Sequence, residues 1–437
     1  MKPLDVKRRK YFSEQISKII FNESALNSLI KRRISNQIKY WSANGNSSAL
    51  RLQKLTSHIE FHPWMLDQIE GFARVDALQN LQICRKKASS WRCTSGSSGA
   101  PLEYPLSKGW RIAHMAIWDA AYRFMTHGEL KGYLDPSFKW AMARPPGGTV
   151  DNLPNQIECI PSRSDVIITD NFGLNTPDVL HGSATTIHWM LNNDVAKKWN
   201  PKYVVFTYES VPSDVFDIVK NTWPNAKLHI EYGSNDGGGA AFTCSMGRLH
   251  YWTIASMPTL KNGRLRVLDL WNKAAGFVAY ECGDLIDFDL DCQCECGSYF
   301  PIVKIIGREA KTFILCNGSK ISSICPFSSE EMKGVFQIQV RIQLDNVAIV
   351  VIRLEELIEN NALSRISDRL LKLGFDRVVF SDWGHFFENH TLKGKFKVVV
   401  DDRPGSKPFI GKQYKSLKEQ GFYDYHIFQN DSWGKGV

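Results

Sequence analysis

Between positions 94 and 101 the chain has the composition of a loop that binds phosphate. This segment is Thr94-Ser95-Gly96-Ser97-Ser98-Gly99-Ala100-Pro101. Glycines allow the backbone to approach a ligand closely, and hydroxyl and amide groups donate hydrogen bonds to phosphate oxygens. The segment is not a Walker loop, because no Gly-Lys-Ser/Thr follows it. A flexible Ser/Gly linker is the alternative, but the predicted long helix at 108–125 soon after the loop favours ligand binding.

A second candidate nucleotide motif follows a predicted strand at 227–230. It consists of Glu231-Tyr232-Gly233-Ser234-Asn235-Asp236. An aromatic ring at this place can lie against a purine, and a carboxylate such as that of Asp236 can hold a magnesium ion that bridges phosphates. Taken alone, the same residues also form an ordinary Asn-Asp-Gly turn.

Two further motifs place a carboxylate and an arginine where they can meet a ribose. Asp284 in Gly283-Asp284-Leu285 can accept hydrogen bonds from both ribose hydroxyls, and Arg308 can pair with the ribose or the α-phosphate. Taken singly, they are a turn and a surface arginine.

Near the carboxyl end, Lys395 lies in the basic segment Thr391-Leu392-Lys393-Gly394-Lys395. A lysine on a mobile loop can neutralise the charge that develops on a transferring acyl phosphate. The alternative is a solvated basic turn without a chemical role.

The ten cysteines include a cluster that is spaced too tightly for an ordinary disulfide framework. Cys294-x-Cys296 together with Cys244-x5-His250 supplies four soft ligands, and zinc prefers tetrahedral Cys and His ligation. Four protein ligands leave no open position for catalysis, so such a site is structural. Spare ligand candidates are Cys282 and Cys292. Buried or surface free thiols are the alternative.

Composition indicates a globular protein of two domains. The chain has 437 residues, more than a single core usually supports, and its net charge is +9. This excess of positive charge suits anionic ligands such as nucleotides, but no basic stripe interleaved with aromatic residues indicates nucleic-acid binding. No segment approaches the roughly 20 apolar residues that cross a bilayer, and the charged amino terminus lacks the apolar stretch of a signal peptide. We therefore expect a cytoplasmic protein without a membrane span.

The elements that position these motifs change along the chain. Residues 1–88 have mostly helical spacing, and from position 91 short apolar runs alternate with Gly, Pro, Asn and Asp. Strands at 203–207 and 227–230 with a helix at 213–223 between them indicate a parallel sheet with crossover helices. Beyond position 308, strands at 336–342 and 347–352 and a helix at 363–373 indicate a compact α+β unit.

In this order, the four motifs resemble those of the adenylate-forming superfamily, which includes acyl-CoA synthetases, luciferases and peptide-synthetase adenylation domains. The loop at 94–101 resembles its phosphate-binding signature, and Tyr232 to Asp236 resembles its Tyr-Gly-x-Thr-Glu motif. Gly-Asp-Leu resembles the ribose motif, and the segment 391–395 resembles the signature of the catalytic lysine. The short chain and the cysteine-rich insert resemble, more narrowly, the phenylacetate–coenzyme A ligase family and its relatives encoded with capsular-polysaccharide biosynthesis.

The resemblance implies an α/β fold with a large N-terminal adenylate-forming domain of mixed sheets and helices. This domain would span 1–307, with 1–88 as a helical lead-in, and a small mobile α+β lid domain at 308–437 would carry the catalytic lysine. The implied catalytic residues are Lys395 and Asp236. The implied nucleotide contacts are Thr94, Ser95, Gly96, Ser97, Ser98, Gly99, Glu209, Tyr232, Gly233, Ser234, Asp284 and Arg308. The implied cofactors are ATP, Mg²⁺, a structural Zn²⁺ on Cys244, His250, Cys294 and Cys296, and CoA.

The implied reaction activates a carboxylic acid as acyl-AMP and releases pyrophosphate, after which CoA, a carrier protein or an amine accepts the acyl group. Several residues depart from the pattern: Asn235 and Asp236 replace Thr and Glu, Ala100 replaces a frequent Lys, and 309–311 replaces an Asp-Asp hinge. A non-catalytic nucleotide-binding homologue, or an enzyme that transfers the acyl group to a protein, therefore remains an alternative. The substrate pocket is expected at about 140–186 and around Ser210, Ser234 and 237–239. Trp140, Phe172 and His181 could serve an aromatic acid there, although aromatic residues at such positions are more often part of the core. The polysaccharide-type relatives instead suggest a sugar acid or an amino acid.

Overall fold

The structure is a computed structural model of the 437-residue chain. It describes residues 3–57, 59–73, 76–77, 81–93, 102–143, 156–161, 166–170, 173–191, 194–208, 211, 213–234, 236–289, 293–308, 312–322, 327, 331, 335–354, 361–381, 399–401 and 403.

Seven α-helices lie within these residues. They are α1 (Pro3–Ile19), α2 (Glu23–Ala43), α3 (Ser47–Leu55), α4 (Lys108–Met125), α5 (Ala184–Met190), α6 (Ser213–Thr222) and α7 (Ala362–Lys372). The predicted helical lead-in ends earlier than expected, because α3 stops at Leu55 and a short strand follows at Phe72–Ala73. None of the described helices combines the length and apolar character needed to cross a membrane.

A sheet of thirteen strands forms the centre of the molecule. Its strands are β1 (Phe72–Ala73), β4 (Trp140–Ala143), β5 (Gln156–Pro161), β6 (Val166–Thr169), β7 (Val179–Gly182), β8 (Tyr203–Phe206), β9 (Lys227–Gly233), β10 (Ala240–Thr243), β11 (Leu249–Tyr251), β12 (Ser256–Lys261), β13 (Arg264–Asp269), β14 (Val278–Asp289) and β15 (Ile302–Arg308). Their order is β12-β13-β14-β15-β11-β10-β9-β8-β7-β4-β5-β6, and β1 pairs with β14.

The sheet has a parallel part and an antiparallel part that meet at β9. Strands β5, β4, β7, β8 and β9 are mutually parallel, as the strand–helix–strand pattern predicted. From β9 onward each neighbour along the sheet order is antiparallel. Side chains of β8 alternate between two cores, with Tyr203 and Val205 in one and Val204 and Phe206 in the other. Helices therefore cover both faces of the parallel part, which explains why β4 and β8 are apolar throughout.

Helix α4 packs against one face of this sheet and holds the amino terminus. The hydroxyl oxygen of Ser107 caps the helix by accepting a hydrogen bond from the backbone N–H of Trp110 at 3.3 Å. Asp119, in the middle of the helix, is buried and forms a two-point ion pair with Arg9 of α1. Since a single buried charge would be costly, this pair fixes α1 on α4.

Smaller sheets complete the described chain. Strands β2 (Ala88–Cys93) and β3 (Glu103–Ser107) form one hairpin, and β16 (Thr312–Ile314) and β17 (Lys320–Ser322) form another. Strands β18 (Val335–Ile342), β19 (Val347–Leu354), β20 (Arg377–Ser381) and β21 (Val399–Asp401) form a four-stranded sheet in the order β20-β19-β18-β21. Ile366 and Leu370 of α7 share a separate hydrophobic core with this sheet.

Candidate functional site

Three of the predicted nucleotide-binding residues lie close together: Tyr232 on β9, Asp284 on β14 and Arg308 on β15. The hydroxyl of Tyr232 donates a hydrogen bond to the Asp284 carboxylate at 2.6 Å. Asp284 on β14 is the direct backbone partner of Arg308 on β15. Because β11 and β10 separate β15 from β9 in the sheet order, only a strongly twisted or curved sheet allows Tyr232 to reach Asp284. Burial of the Tyr232 hydroxyl, together with the nearby Asp284 charge, raises the pKa of this tyrosine well above its usual value.

The predicted magnesium ligand lies in a tight, buried turn after β9. Tyr280 donates a hydrogen bond to Oδ2 of Asp236 at 2.6 Å, and the Ser234 hydroxyl donates to the backbone carbonyl of Asp236 at 2.7 Å. The turn needs glycine at position 237 for two reasons. The φ of Gly237 is +79°, and a Cβ atom there would come within 2.4 Å of the Val267 side chain. Asp236 thus makes contacts within the protein, and its role toward a metal stays a prediction.

Other predicted site residues lie outside the described residues. These are the phosphate loop from Thr94 to Gly99, Glu209 and Lys395. For Arg308 the structure describes the backbone only. The convergence of all the nucleotide motifs on one ligand therefore also stays a prediction.

The four predicted metal ligands lie together, although they come from two distant segments of the chain. One ligand atom from each of Cys244, His250, Cys294 and Cys296 lies within 4.8 Å of every other. The sulfurs of Cys244 and Cys294 are 3.7 Å apart, and Cys296 Sγ is 3.5 Å from His250 Nε2. The spare candidate Cys282 is elsewhere, with its thiol donating to the carbonyl of Leu265, and Cys292 lies outside the described residues.

The donor set fits a tetrahedral zinc ion. His250 Nδ1 is 2.8 Å from the carbonyl oxygen of Phe300, which can only accept, so the proton is on Nδ1 and the Nε2 lone pair is free. Burial raises the pKa of the Cys296 thiol to about 12. Burial also raises the pKa of the Cys244 thiol, so these two thiols need an adjacent cation to become thiolates that bind metal. A Zn²⁺ ion meets that requirement with four protein ligands and no open position.

A buried cluster that the sequence did not single out as a whole lies at the carboxyl ends of β7, β8 and β9. Its centre is Glu231, whose Oε2 accepts a hydrogen bond from Tyr122 at 2.9 Å. Thr207 donates to Oε1 at 3.3 Å, and His181 Nε2 lies 3.5 Å from Oε2. Burial by itself would raise the pKa of Glu231. The hydrogen bond and charge of His181, followed by hydrogen bonds from Trp118 and Tyr122, outweigh the effect of burial and lower this pKa. Glu231 is thus an ionised carboxylate inside the protein.

Comparison with known proteins identifies the fold. No protein-family model matches the sequence, and no curated protein is significantly similar to it. The chain is similar to a 2-hydroxyisobutyryl-CoA ligase, solved in the postadenylation state in complex with R3-HIB-AMP, with a TM-score of 0.53, 13% identity and 90% of both chains covered. The fold is that of an adenylate-forming enzyme.

Two further solved structures are similar at lower scores. One is the same ligase in an open conformation with 2-HIB-AMP and CoA, with a TM-score of 0.44, 12% identity and 88% and 91% coverage. The other is the anthranilate CoA ligase AuaEII with anthranoyl-AMP, with a TM-score of 0.43, 12% identity and 71% and 66% coverage.

Within this adenylate-forming fold, the described site residues form two neighbouring groups on β9. Tyr232 is joined to Asp284, and Glu231, the preceding residue, is joined to His181 and Tyr122. Successive side chains of a strand point to opposite faces, so the two groups lie on opposite faces of one strand. Both groups lie near the carboxyl end of β9, and open α/β sheets bind ligands at the carboxyl ends of their parallel strands.

Proposed function

We propose that this protein is an ATP-dependent ligase that activates a carboxylic acid as its acyl-AMP and then transfers the acyl group to CoA or another thiol or amine acceptor. The observation that carries the proposal is the joining of Tyr232, Asp284 and the backbone of Arg308 within an adenylate-forming fold. Similarity to a CoA ligase that was solved with R3-HIB-AMP supports the same reaction class.

The chemistry follows from the poor reactivity of a carboxylate as an electrophile. A carboxylate oxygen of the substrate attacks the α-phosphorus of ATP, the bond from this phosphorus to its bridging oxygen breaks, and pyrophosphate leaves. An acceptor thiol then attacks the carbonyl carbon, loses its proton and displaces AMP. Asp284 would hold the ribose hydroxyls, and Arg308 would pair with the ribose or α-phosphate. Lys395 would stabilise the charge that develops at the α-phosphorus.

The proposed domain division places residues 1–307 around ATP and the acid and residues 308–437 on the lid. Support comes from the hydrophobic core that the sheet β20-β19-β18-β21 shares with α7, which includes Ile338 and Val350, while Val351 of β19 packs into a core of the large sheet. Closure of the lid would position Lys395 and exclude water that hydrolyses the adenylate. The proposed hinge at 308–311 begins at Arg308, the last residue of β15 and the backbone partner of Asp284.

The cofactors that go with this function are ATP with Mg²⁺, CoA, and a Zn²⁺ ion that serves structure rather than catalysis. We propose Cys244, His250, Cys294 and Cys296 as the zinc ligands on the basis of their geometry. This cluster also agrees with the narrower assignment to phenylacetate–CoA ligase relatives of capsular-polysaccharide biosynthesis, acting in the cytoplasm. Thr94 to Gly99, Glu209 and Ser234 complete the proposed nucleotide contacts, with Asp236 toward magnesium.

The test is acid-dependent exchange of labelled pyrophosphate into ATP across a broad panel of carboxylic acids. We expect exchange with at least one acid, and we expect Lys395→Ala to lower its rate by more than about 100-fold, since loss of a charge-stabilising group typically has this effect. Lys393→Ala, two residues away in the same basic segment, is the matched control and should retain the rate.

A non-catalytic nucleotide-binding protein is the second candidate. It is favoured by the contacts of Asp236, whose carboxylate already accepts hydrogen bonds from Tyr280 and Ser234. Tight ATP binding without exchange for any acid would support this second function. Exchange that is unaffected by Lys395→Ala would contradict the catalytic role of that lysine.

A further inference from the structure

Glu231 is a buried anion that lacks a permanently charged partner among the described residues near it. Its exposed fraction is 9%, and its neighbours are Tyr122, Thr207, Trp118 and His181. The first three are neutral, and His181 carries a charge only when it is protonated. Asp119, another buried carboxylate, is by contrast paired with Arg9. A buried carboxylate is expensive without a cation, and here the cation is either a protonated His181 or a positively charged ligand.

His181 has hydrogen-bonding capacity that the described residues leave unused. Its exposed fraction is 2%, yet apart from the contact of Nε2 with Glu231 neither ring nitrogen has a partner within the described part of the chain. Its Nε2 is 3.5 Å from Glu231, which is the distance of a loose ion pair rather than of a good hydrogen bond. The imidazole and the carboxylate lie side by side, and each can accept further hydrogen bonds. One donor group with several protons could therefore bind to both.

Aromatic rings surround this pair. Tyr133 lies edge-on to His181 with ring centres 5.5 Å apart, and Trp140 lies 5.7 Å from Tyr122. On the outer side Tyr208, 43% exposed, lies 6.2 Å from His181 and has a positive φ of 73°. Such a backbone conformation is unfavourable for a bulky residue and is concentrated at functional sites. Tyr208 therefore connects the cluster to the surface.

A carboxylate with aromatic side chains nearby has the chemistry of a site for an organic cation, because aromatic rings and the anion both attract positive charge. A hydroxyl ligand would satisfy the hydrogen bonds but would leave the charge of Glu231 uncompensated. An ammonium group supplies three donors and one positive charge. The cluster thus favours a protonated amine over a neutral polar group.

Its place on β9 connects this chemistry to the proposed reaction. Glu231 directly precedes Tyr232, which is joined to Asp284. The rise per residue of a strand is about 3.3 Å, so the two residues are close neighbours at the carboxyl end of β9, where a ligand at the strand end can approach both faces. We propose that Glu231 is the counter-ion of an ammonium group on the acid that is activated, with His181 and Tyr122 positioned around it, so that the substrate is an amino acid in the chemical sense. This inference rests on the proposed adenylate-forming function.

The test uses pyrophosphate exchange with pairs of acids that have the same shape and differ in an amino group. Suitable pairs are alanine with isobutyrate, 4-aminobutyrate with pentanoate, phenylalanine with 2-methyl-3-phenylpropionate and glucosaminate with gluconate. We expect exchange with the amino member of at least one pair, and a kcat/KM at least about 100-fold lower for its partner, as is typical when a buried charge loses its partner.

Glu231→Gln keeps the shape and the hydrogen-bonding capacity of the side chain but removes its charge. It should lower kcat/KM for the preferred amino acid by roughly 100-fold and leave or raise the value for the uncharged partner. Tyr122→Phe removes one hydrogen bond but retains the charge, so a loss of no more than about 10-fold is expected. Should Glu231→Gln fail to fold, Glu231→Asp retains the charge and must retain the preference for the amino member.

The outcomes separate this inference from the proposed function. Exchange with uncharged acids alone, equal use of both members of every pair, or an undiminished preference in Glu231→Gln would each overturn the assignment of an amino acid while leaving the ligase intact. Absence of exchange with every acid in the broad panel would overturn the proposed function itself.

Discussion

Removal of the zinc cluster is the perturbation whose size can be worked out most directly from the structure. Cys294→Ser removes one of the two sulfur ligands, Cys294 and Cys296, that precede β15. The other two ligands, Cys244 and His250, remain in the hairpin formed by β10 and β11. Serine is similar in shape but is a poor zinc ligand at neutral pH. Loss of the ion would disconnect the hairpin from the segment that precedes β15.

The magnitude follows from the chain length that the ion closes. Cys244 and Cys294 are 50 residues apart in the sequence. Treated as a cross-link, closure of a loop of this length restricts the unfolded chain by about 4 kcal/mol. Total stabilities of domains are about 5–15 kcal/mol, so this loss would be a large part of the free energy of unfolding.

Two measurements check this prediction in the purified, chelator-washed protein. Elemental analysis should find one zinc per chain in the wild type and much less in Cys294→Ser, and denaturant unfolding should show the loss of stability. Cys316→Ser is the matched control, because Cys316 is exposed and lies outside the cluster. Equal unfolding midpoints for the two variants, or a wild type without stoichiometric zinc, would refute the reasoning.

Two predictions concern other parts of the site. Asp284→Asn should weaken ATP binding by roughly 10- to 100-fold, because hydrogen bonds to a charged group contribute about 1.5–3 kcal/mol each. Titration calorimetry with ATP measures this, and Asp287→Asn, exposed on the same strand, should bind like the wild type. Burial raises the pKa of Asp269 to about 7 from its ordinary 3.8. The folded state therefore binds more protons between these values, and stability that is present below about pH 4 is lost as the pH rises through 7, by up to about 1.4 kcal/mol per pH unit. The free energy of unfolding of the wild type minus that of Asp269→Asn, measured from pH 4 to 8, should show this decline. A difference that does not change with pH would contradict the prediction.

The sequence was sufficient to predict the parallel part of the fold and the strands and helix between positions 336 and 373, and poorer for the antiparallel strands between these two parts. Strands at 203–207 and 227–230 and the helix at 213–223 are confirmed as β8, β9 and α6, because apolar runs and a crossover helix are local signals. The antiparallel strands from β10 to β15 were not predicted individually. Their pairing depends on residues far apart, such as His250 with Ile302, and no local pattern shows this.

The candidate site shows the same division between local and distant information. Ligand chemistry identified Cys244, His250, Cys294 and Cys296, and the structure confirms that they lie together. Tyr232 and Asp284 were identified from motifs, although only the structure shows the hydrogen bond between them. Glu231 was missed as a site residue, because an acid beside a turn usually lies at the surface, and its burial results from β7, β8 and α4 packing around it.

The consequence of this packing is that one strand carries two different recognition chemistries. Alternation along β9 directs Tyr232 toward Asp284 and Glu231 toward His181 and Tyr122, so any shift of the strand by one residue would exchange the two faces. The strand is held in register on both sides, by β8 in parallel and by β10 in antiparallel pairing. The proposed contacts with the acid and with the nucleotide thus both depend on the position of one strand, β9. A substitution that moves β9 should impair both together, whereas Glu231→Gln should change the choice of acid alone.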